Sequence, residues 1–188
     1  MELVKVALIG THNTGKTTAL WQVGAELKKL GIRGVGLVQE TVRGCPYPIE
    51  EKETFEGANW TLLSQILAEA DAQLKYKHVI CDRSVIDQLI YFECVSINVR
   101  QRNYLRDIAE GWMSLCPYDI LFLFTPSPLI PVPRRSSLEW RREIEQGFIQ
   151  ESKTIEANLF FVPTDLFEDR VSFVVKKILQ EIKKEDES

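Results

Sequence analysis

Nine residues near the amino terminus constrain this chain more than any other segment: Gly10-Thr11-His12-Asn13-Thr14-Gly15-Lys16-Thr17-Thr18. Before them runs the nearly continuous apolar stretch Leu3–Ile9. After them Leu20, Val23, Leu27 and Leu30 recur at helical spacing up to Gly31. A strand, a glycine-bounded loop and an amphipathic helix in that order match the pattern G-x-x-x-x-G-K-[ST] at every fixed position. Gly10 and Gly15 permit backbone angles that a Cβ would forbid, so successive N–H groups turn inward on phosphate oxygens. The helix start near Lys16 adds the positive end of its dipole. Lys16 places a point charge between β- and γ-phosphates, and Thr17 offers a hydroxyl to Mg²⁺. The sequence therefore predicts an ATP·Mg²⁺ site over Gly10–Thr18. His12, the lone histidine of the loop, is expected to face solvent.

The remaining pattern alternates strands with helices. Val35–Val38, His78–Cys81, Ile120–Phe124 and Leu159–Val162 read as further strands. A helix from about Ala58 to Tyr76 carries Leu62, Leu63, Ile66, Ala70 and Leu74 on one broad face, and helical patterns cover roughly Val85–Val95 and Asn103–Leu115. Four prolines between Pro126 and Pro133 exclude a helix or central strand there. Arg134–Ile155 reads as a charged helix. Val171, Val174, Val175, Ile178 and Ile182 mark a last one, with the tail Lys183–Ser188 expected to fray. This order implies a three-layer α/β/α domain with a parallel sheet, spanning 1–188 without repeat or linker.

Composition narrows the function. The 188 residues suit one domain, and a net charge of −4 disfavours a polynucleotide substrate. Cys45, Cys81, Cys94 and Cys116 lack paired spacing and read as reduced thiols, Cys81 among them buried. With no membrane-length apolar stretch and no leader pattern, a cytoplasmic setting is expected.

In an open α/β sheet, ligands bind beyond the carboxyl ends of the strands, and two such ends carry acids. Asp82 follows His78–Cys81 and reads either as a Mg²⁺-holding carboxylate or as a cap for the helix starting near Ser84. Glu40 ends the second strand. It reads as a general base toward a substrate hydroxyl, or as the salt-bridge partner of Arg43. Arg83 and Arg43 are placed to contact phosphate or acceptor, or to pair with those acids.

The phosphate loop, Gln39-Glu40-Thr41-Val42-Arg43 and Asp82-Arg83-Ser84-Val85-Ile86-Asp87, followed by Tyr91, resemble the P-loop small-molecule kinases. The likeness is to the AAA-type NTPase group that includes the ribosylnicotinamide kinase domain of NadR-like proteins, and more distantly to deoxynucleoside and thymidylate kinases. It implies a five-stranded parallel sheet of the nucleoside- and nucleotide-kinase type. It further implies that Glu40 handles the acceptor hydroxyl and that Asp82-Arg83-Ser84 is the acid-Arg-Ser motif after strand three. The Glu-Pro pair common in deoxynucleoside and thymidylate kinases is missing here, so the acceptor's identity does not carry over. Arg134, Arg135, Arg141 and Arg142 fit a cationic lid over about 126–145, at least one of them catalytic; glutamates among them fit a solvated helix instead. Phe55, Trp60 and Gln65 are candidates to bind the acceptor, though aromatics at this spacing are more often core. Pro163 and Thr164 resemble the place where such kinases hold adenine, though Thr164 also suits a helix cap.

These readings predict transfer of the γ-phosphate of ATP to a nucleoside- or nucleotide-like small molecule, by a monomer or an oligomer. A regulatory NTPase acting through a protein partner is the alternative. No [NT]-K-x-D motif is present, which speaks against a GTPase switch of the Ras type.

Overall fold

The computed structural model describes residues 4–95, 97–126, 138–151, 158–162 and 166–187. Five parallel strands, β1 (Val4–Ile9), β2 (Val35–Val38), β3 (His78–Asp82), β4 (Ile120–Leu123) and β5 (Asn158–Phe161), form one sheet in the order β2-β3-β1-β4-β5. The α-helices among the described residues are α1 (Lys16–Lys29), α2 (Phe55–Lys75), α3 (Val85–Glu93), α4 (Val99–Leu115), α5 (Leu138–Glu151) and α6 (Phe167–Glu187). Helices cover both faces of the sheet, giving the three-layer arrangement expected from the pattern.

Alternation along β1 explains the layers. Val4, Val6 and Leu8 pack against Leu20, Val23 and Leu27 of α1 and Val174, Val175 and Ile178 of α6. Ala7 and Ile9 face the other side, with Ile86 and Ile90 of α3 and Ile144 and Phe148 of α5. Burial on both faces is why the strand reads as an uninterrupted apolar run, each buried aliphatic side chain contributing roughly 1.5–3 kcal/mol. β1 is flanked by β3 on one side and β4 on the other, so the strand order reverses beyond its carboxyl end. Gly10 begins there.

Several boundaries differ from the pattern-based expectation. α2 starts at Phe55 because Thr54 caps it, accepting from Gly57 N at 3.3 Å. α4 starts at Val99 behind a capping box of Asn98 and Gln101. The tail expected to fray is helical through Glu187, with Lys184 paired to Glu181 at 2.8 Å. The apolar face expected for α2 is only partly the buried one. Leu62 is fully buried, but Leu63 is 39% and Leu74 87% exposed, while Gln65 and Glu69 point inward with no exposure. Among the described residues no helix is long and apolar enough to cross a membrane.

Candidate active site

The loop after β1 takes its shape from backbone angles that side chains resist. Gly10 has φ 128°, and a Cβ there would lie 2.3 Å from the carbonyl oxygen of Phe124. Gly15 has φ 88° and Asn13 φ 60°. From the other end of the chain, the buried Arg170 of α6 donates to Thr14 O at 2.9 Å, and Phe167 packs against Gly15. Sequence reasoning missed both of these braces, because neither residue belongs to a motif. His12 is buried, not solvent-facing as expected; its ring stands 5.9 Å from that of Trp140 in α5.

Lys16 is folded onto its own loop. Its Nζ donates to Gly10 O at 2.9 Å, Thr11 O at 2.6 Å and Thr14 Oγ1 at 3.3 Å. These partners are neutral, so burial, followed by the nearby Arg83 charge, lowers its pKa to about 8.

Asp82 does not cap α3. That cap is Ser84, whose Oγ accepts from Ile86 N and Asp87 N while Asp87 accepts from Ser84 N at 2.8 Å. Asp82 instead accepts from Thr17 Oγ1 at 2.5 Å through Oδ2, and burial raises its pKa. Its Oδ1 is buried without a hydrogen-bond partner. A hydroxyl and a carboxylate with a spare buried oxygen are the hard donors that Mg²⁺ takes alongside phosphate and water, so these residues fit that ion.

Glu40 and Arg83 meet across the same cleft. Arg83 Nε donates to Glu40 Oε1 at 2.6 Å, and Arg43 Nε donates to Oε2 at 2.7 Å. The two pairs are unequal, since the Arg83 side chain is 8% exposed and that of Arg43 74%. Burial alone would raise the Glu40 pKa, but the Arg83 charge and the hydrogen bonds from both arginines bring it to about 2. Arg83 has φ 75°, and its guanidinium lies 5.1 Å from the centre of the Tyr91 ring.

The loop from His12 to Thr18, together with Glu40, Arg43, Asp82 and Arg83, lines one cleft of about 660 Å³. Val42, Ile49, Glu50, Glu53, Gln88 and Tyr91 complete its wall. Glu53 gave no sequence signal; burial raises its pKa to about 7 against the opposing pull of Arg83. Phe55, Trp60 and Gln65 are not in the lining. Phe55 packs 6.0 Å from the Tyr104 ring and Trp60 lies beside Gly44, while Gln65 is buried behind the wall. Arg134, Arg135, Pro163 and Thr164 lie outside the described residues, and Arg142 is exposed on α5.

A glycine loop at the switch point of a parallel sheet, with an acid at the next strand's end, defines a P-loop nucleotide-binding protein of the kinase-like kind. A family model described as an AAA domain matches residues 5–170, and the chain belongs to that family. Thymidylate kinase from Ehrlichia chaffeensis superposes with a TM-score of 0.66 at 15% identity, covering 97% of this chain and 100% of that one. NadR protein in complex with NR superposes with a TM-score of 0.69 at 14% identity, over 94% of this chain and 50% of that one. This chain thus spans half the length of NadR. At such identities the likeness concerns the fold. A search of curated proteins by sequence finds no match.

Proposed function

We propose that this protein is an ATP-dependent phosphotransferase that moves the γ-phosphate to a nucleoside- or nucleotide-like small molecule. The observation that carries this reading is the shared cleft. The phosphate loop forms one wall, the Glu40–Arg83 pair another, and the volume suits two small molecules laid end to end. A cleft built only for hydrolysis has no use for the room beyond the loop.

The loop amides and Lys16 hold the triphosphate, Lys16 leaving the carbonyls of Gly10 and Thr11 for phosphate oxygens. Thr17 and Asp82 would hold Mg²⁺, which would neutralise charge on the phosphates when bound. Arg83 faces the transferred group from the acceptor side. Glu40, held ionised by two arginines, is a weak base, so its work is to accept a hydrogen bond from the acceptor hydroxyl and aim it in line. A loose transition state asks for positioning more than for proton removal, and a weak base suffices. In this reading the chain acts as one domain, with segment 126–145 and its Arg134 and Arg135 as the lid and Pro163–Thr164 beside adenine. NadR's bound NR makes nicotinamide riboside an acceptor worth testing first.

A coupled ADP-release assay against nucleosides, nucleotides and nicotinamide riboside tests the reading. ATP turnover is expected to rise at least tenfold with the right acceptor. Glu40→Gln is expected to remove most of that stimulation with nucleotide affinity unchanged. Turnover indifferent to every acceptor, with tight binding of a protein partner, would establish the regulatory NTPase instead.

A further inference from the structure

Behind the cleft, Glu69 of α2 is buried with no exposure and accepts three hydrogen bonds besides an ion pair. Oε1 receives Gln65 Nε2 at 2.9 Å and Tyr118 OH at 2.6 Å; Oε2 receives Trp112 Nε1 at 2.9 Å and the Lys5 ammonium at 2.8 Å. Lys5 is 1% exposed, stands 4.0 Å from the centre of the Tyr118 ring, and also donates to Cys116 O. Buried ion pairs are poor investments in stability, since apolar residues of similar volume do as well or better. Their use lies in fixing one arrangement of their neighbours.

Two arms of this cluster reach the turn that carries Arg83. Gln65 Nε2 donates to Arg83 O at 3.3 Å, and Tyr118 OH accepts from Val85 N at 3.0 Å. From the opposite side Arg83 N donates to Leu8 O at 3.0 Å. The turn is thus clamped at 83 and 85, and it needs clamping. Arg83 sits at φ 75°, a left-handed conformation costing a non-glycine residue about 1–2 kcal/mol. The Gln65 amide is also oriented by its partners. Its NH₂ faces two acceptors, Glu69 Oε1 and Arg83 O, which leaves Oε1 to accept from Thr41 Oγ1 at 3.4 Å. Thr41 follows Glu40. One buried amide therefore ties the segment after β2 to the turn after β3, the two segments whose side chains form the Glu40–Arg83 pair.

We propose that Gln65, oriented by the Lys5–Glu69–Tyr118 cluster, is a positioning residue that sets the Arg83 guanidinium against Glu40 across the cleft. The inference rests on the phosphotransferase reading for its effect on rate, but not for its effect on the pair itself. Gln65 acts through backbone and neighbouring side chains, without touching the acceptor.

Gln65→Leu and Tyr118→Phe test it, with Ile178→Ala in α6 as a control that loses stability without touching the cluster. For each cluster variant kcat is expected to fall roughly tenfold or more, with nucleotide Kd within about twofold of the parent. Ile178→Ala is expected to lose as much thermal stability with kcat nearly unchanged. Independently of activity, the Glu40 carboxyl, assigned in carbon NMR by its loss in Glu40→Gln, is expected to titrate about one pH unit or more higher in Gln65→Leu, as Arg83 drifts away. An unmoved Glu40 titration overturns the proposal, as does a kcat loss matched by Ile178→Ala. If the parent protein transfers phosphate to no acceptor, the functional reading fails while the Glu40 titration still decides this one.

Discussion

Nucleotide binding should take up a proton at alkaline pH, and Lys16 is the reason. In the free loop Lys16 is 5% exposed, and among the described residues its ammonium donates to carbonyl and hydroxyl oxygens. Burial and then Arg83 bring its pKa to about 8, against which Asp87, Asp82 and Glu40 pull weakly upward. An arriving triphosphate supplies several negative charges at contact distance, which restores the protonated form. The loop's affinity for phosphate is therefore linked to the proton that Lys16 carries. With a free-state pKa about 8, about nine-tenths of molecules have lost that proton at pH 9, against about one-tenth at pH 7. Binding should take up about 0.9 proton at pH 9, and affinity should weaken about tenfold between pH 7 and pH 9. The terminal phosphate of the nucleotide, with a pKa of about 6, is already fully ionised there and does not contribute. Calorimetry in buffers of different ionisation enthalpy reads the uptake directly. In Lys16→Met the uptake should vanish along with most of the affinity. Less than about 0.2 proton taken up at pH 9, or the same uptake in the variant, would refute the reasoning.

Gly10→Ala should cost about 3 kcal/mol or more in urea unfolding, because its Cβ would collide with Phe124 O at 2.3 Å in a backbone conformation alanine resists. Asp82→Asn, which keeps the partner of Thr17 but removes the charge beside the buried Oδ1, should abolish the gain in nucleotide affinity on adding Mg²⁺; comparing titrations in Mg²⁺ and in chelator checks it. Glu53 holds its proton more tightly folded, at about 7, than unfolded, at 4.5, so its contribution is complete below pH 4.5 and lost as pH rises through 7. Glu53→Gln should therefore melt above the parent by on the order of 4 °C at pH 8, and the gap should close at pH 4.5.

The fold was legible because its signals are local. A strand buried on both faces must be apolar throughout, as Val4–Ile9 is but for Lys5, and a phosphate loop must carry glycine where φ is positive, as at Gly10 and Gly15. The phosphate-loop side of the cleft could be read residue by residue for the same reason. The opposite side could not. Glu53 and Gln88 come from segments whose patterns look ordinary, and they meet the phosphate loop only because β2 and β3 lie on one side of β1. Phe55 and Trp60, the residues with the chemistry to stack on a ring, turn out to stand away from the cleft lining.

α2 shows the limit most clearly. Its leucines and isoleucine mark a helix, yet the inward stripe holds Gln65 and Glu69 while Leu74 is left 87% exposed. Hydropathy sets which residues prefer the interior, but a buried carboxylate is stable only if partners arrive from elsewhere in the chain. Here they are Lys5, Trp112 and Tyr118, from β1, α4 and the approach to β4. The sequence alone determined the phosphate loop, the alternation of strands and helices, and the acids at two strand ends, because each depends on neighbours along the chain. Tertiary structure decided that Glu40 pairs with Arg83 as well as with Arg43, that Ser84 rather than Asp82 caps α3, and that the turn at Arg83 is clamped from behind. Those outcomes depend on distances between residues tens of positions apart, which only packing sets.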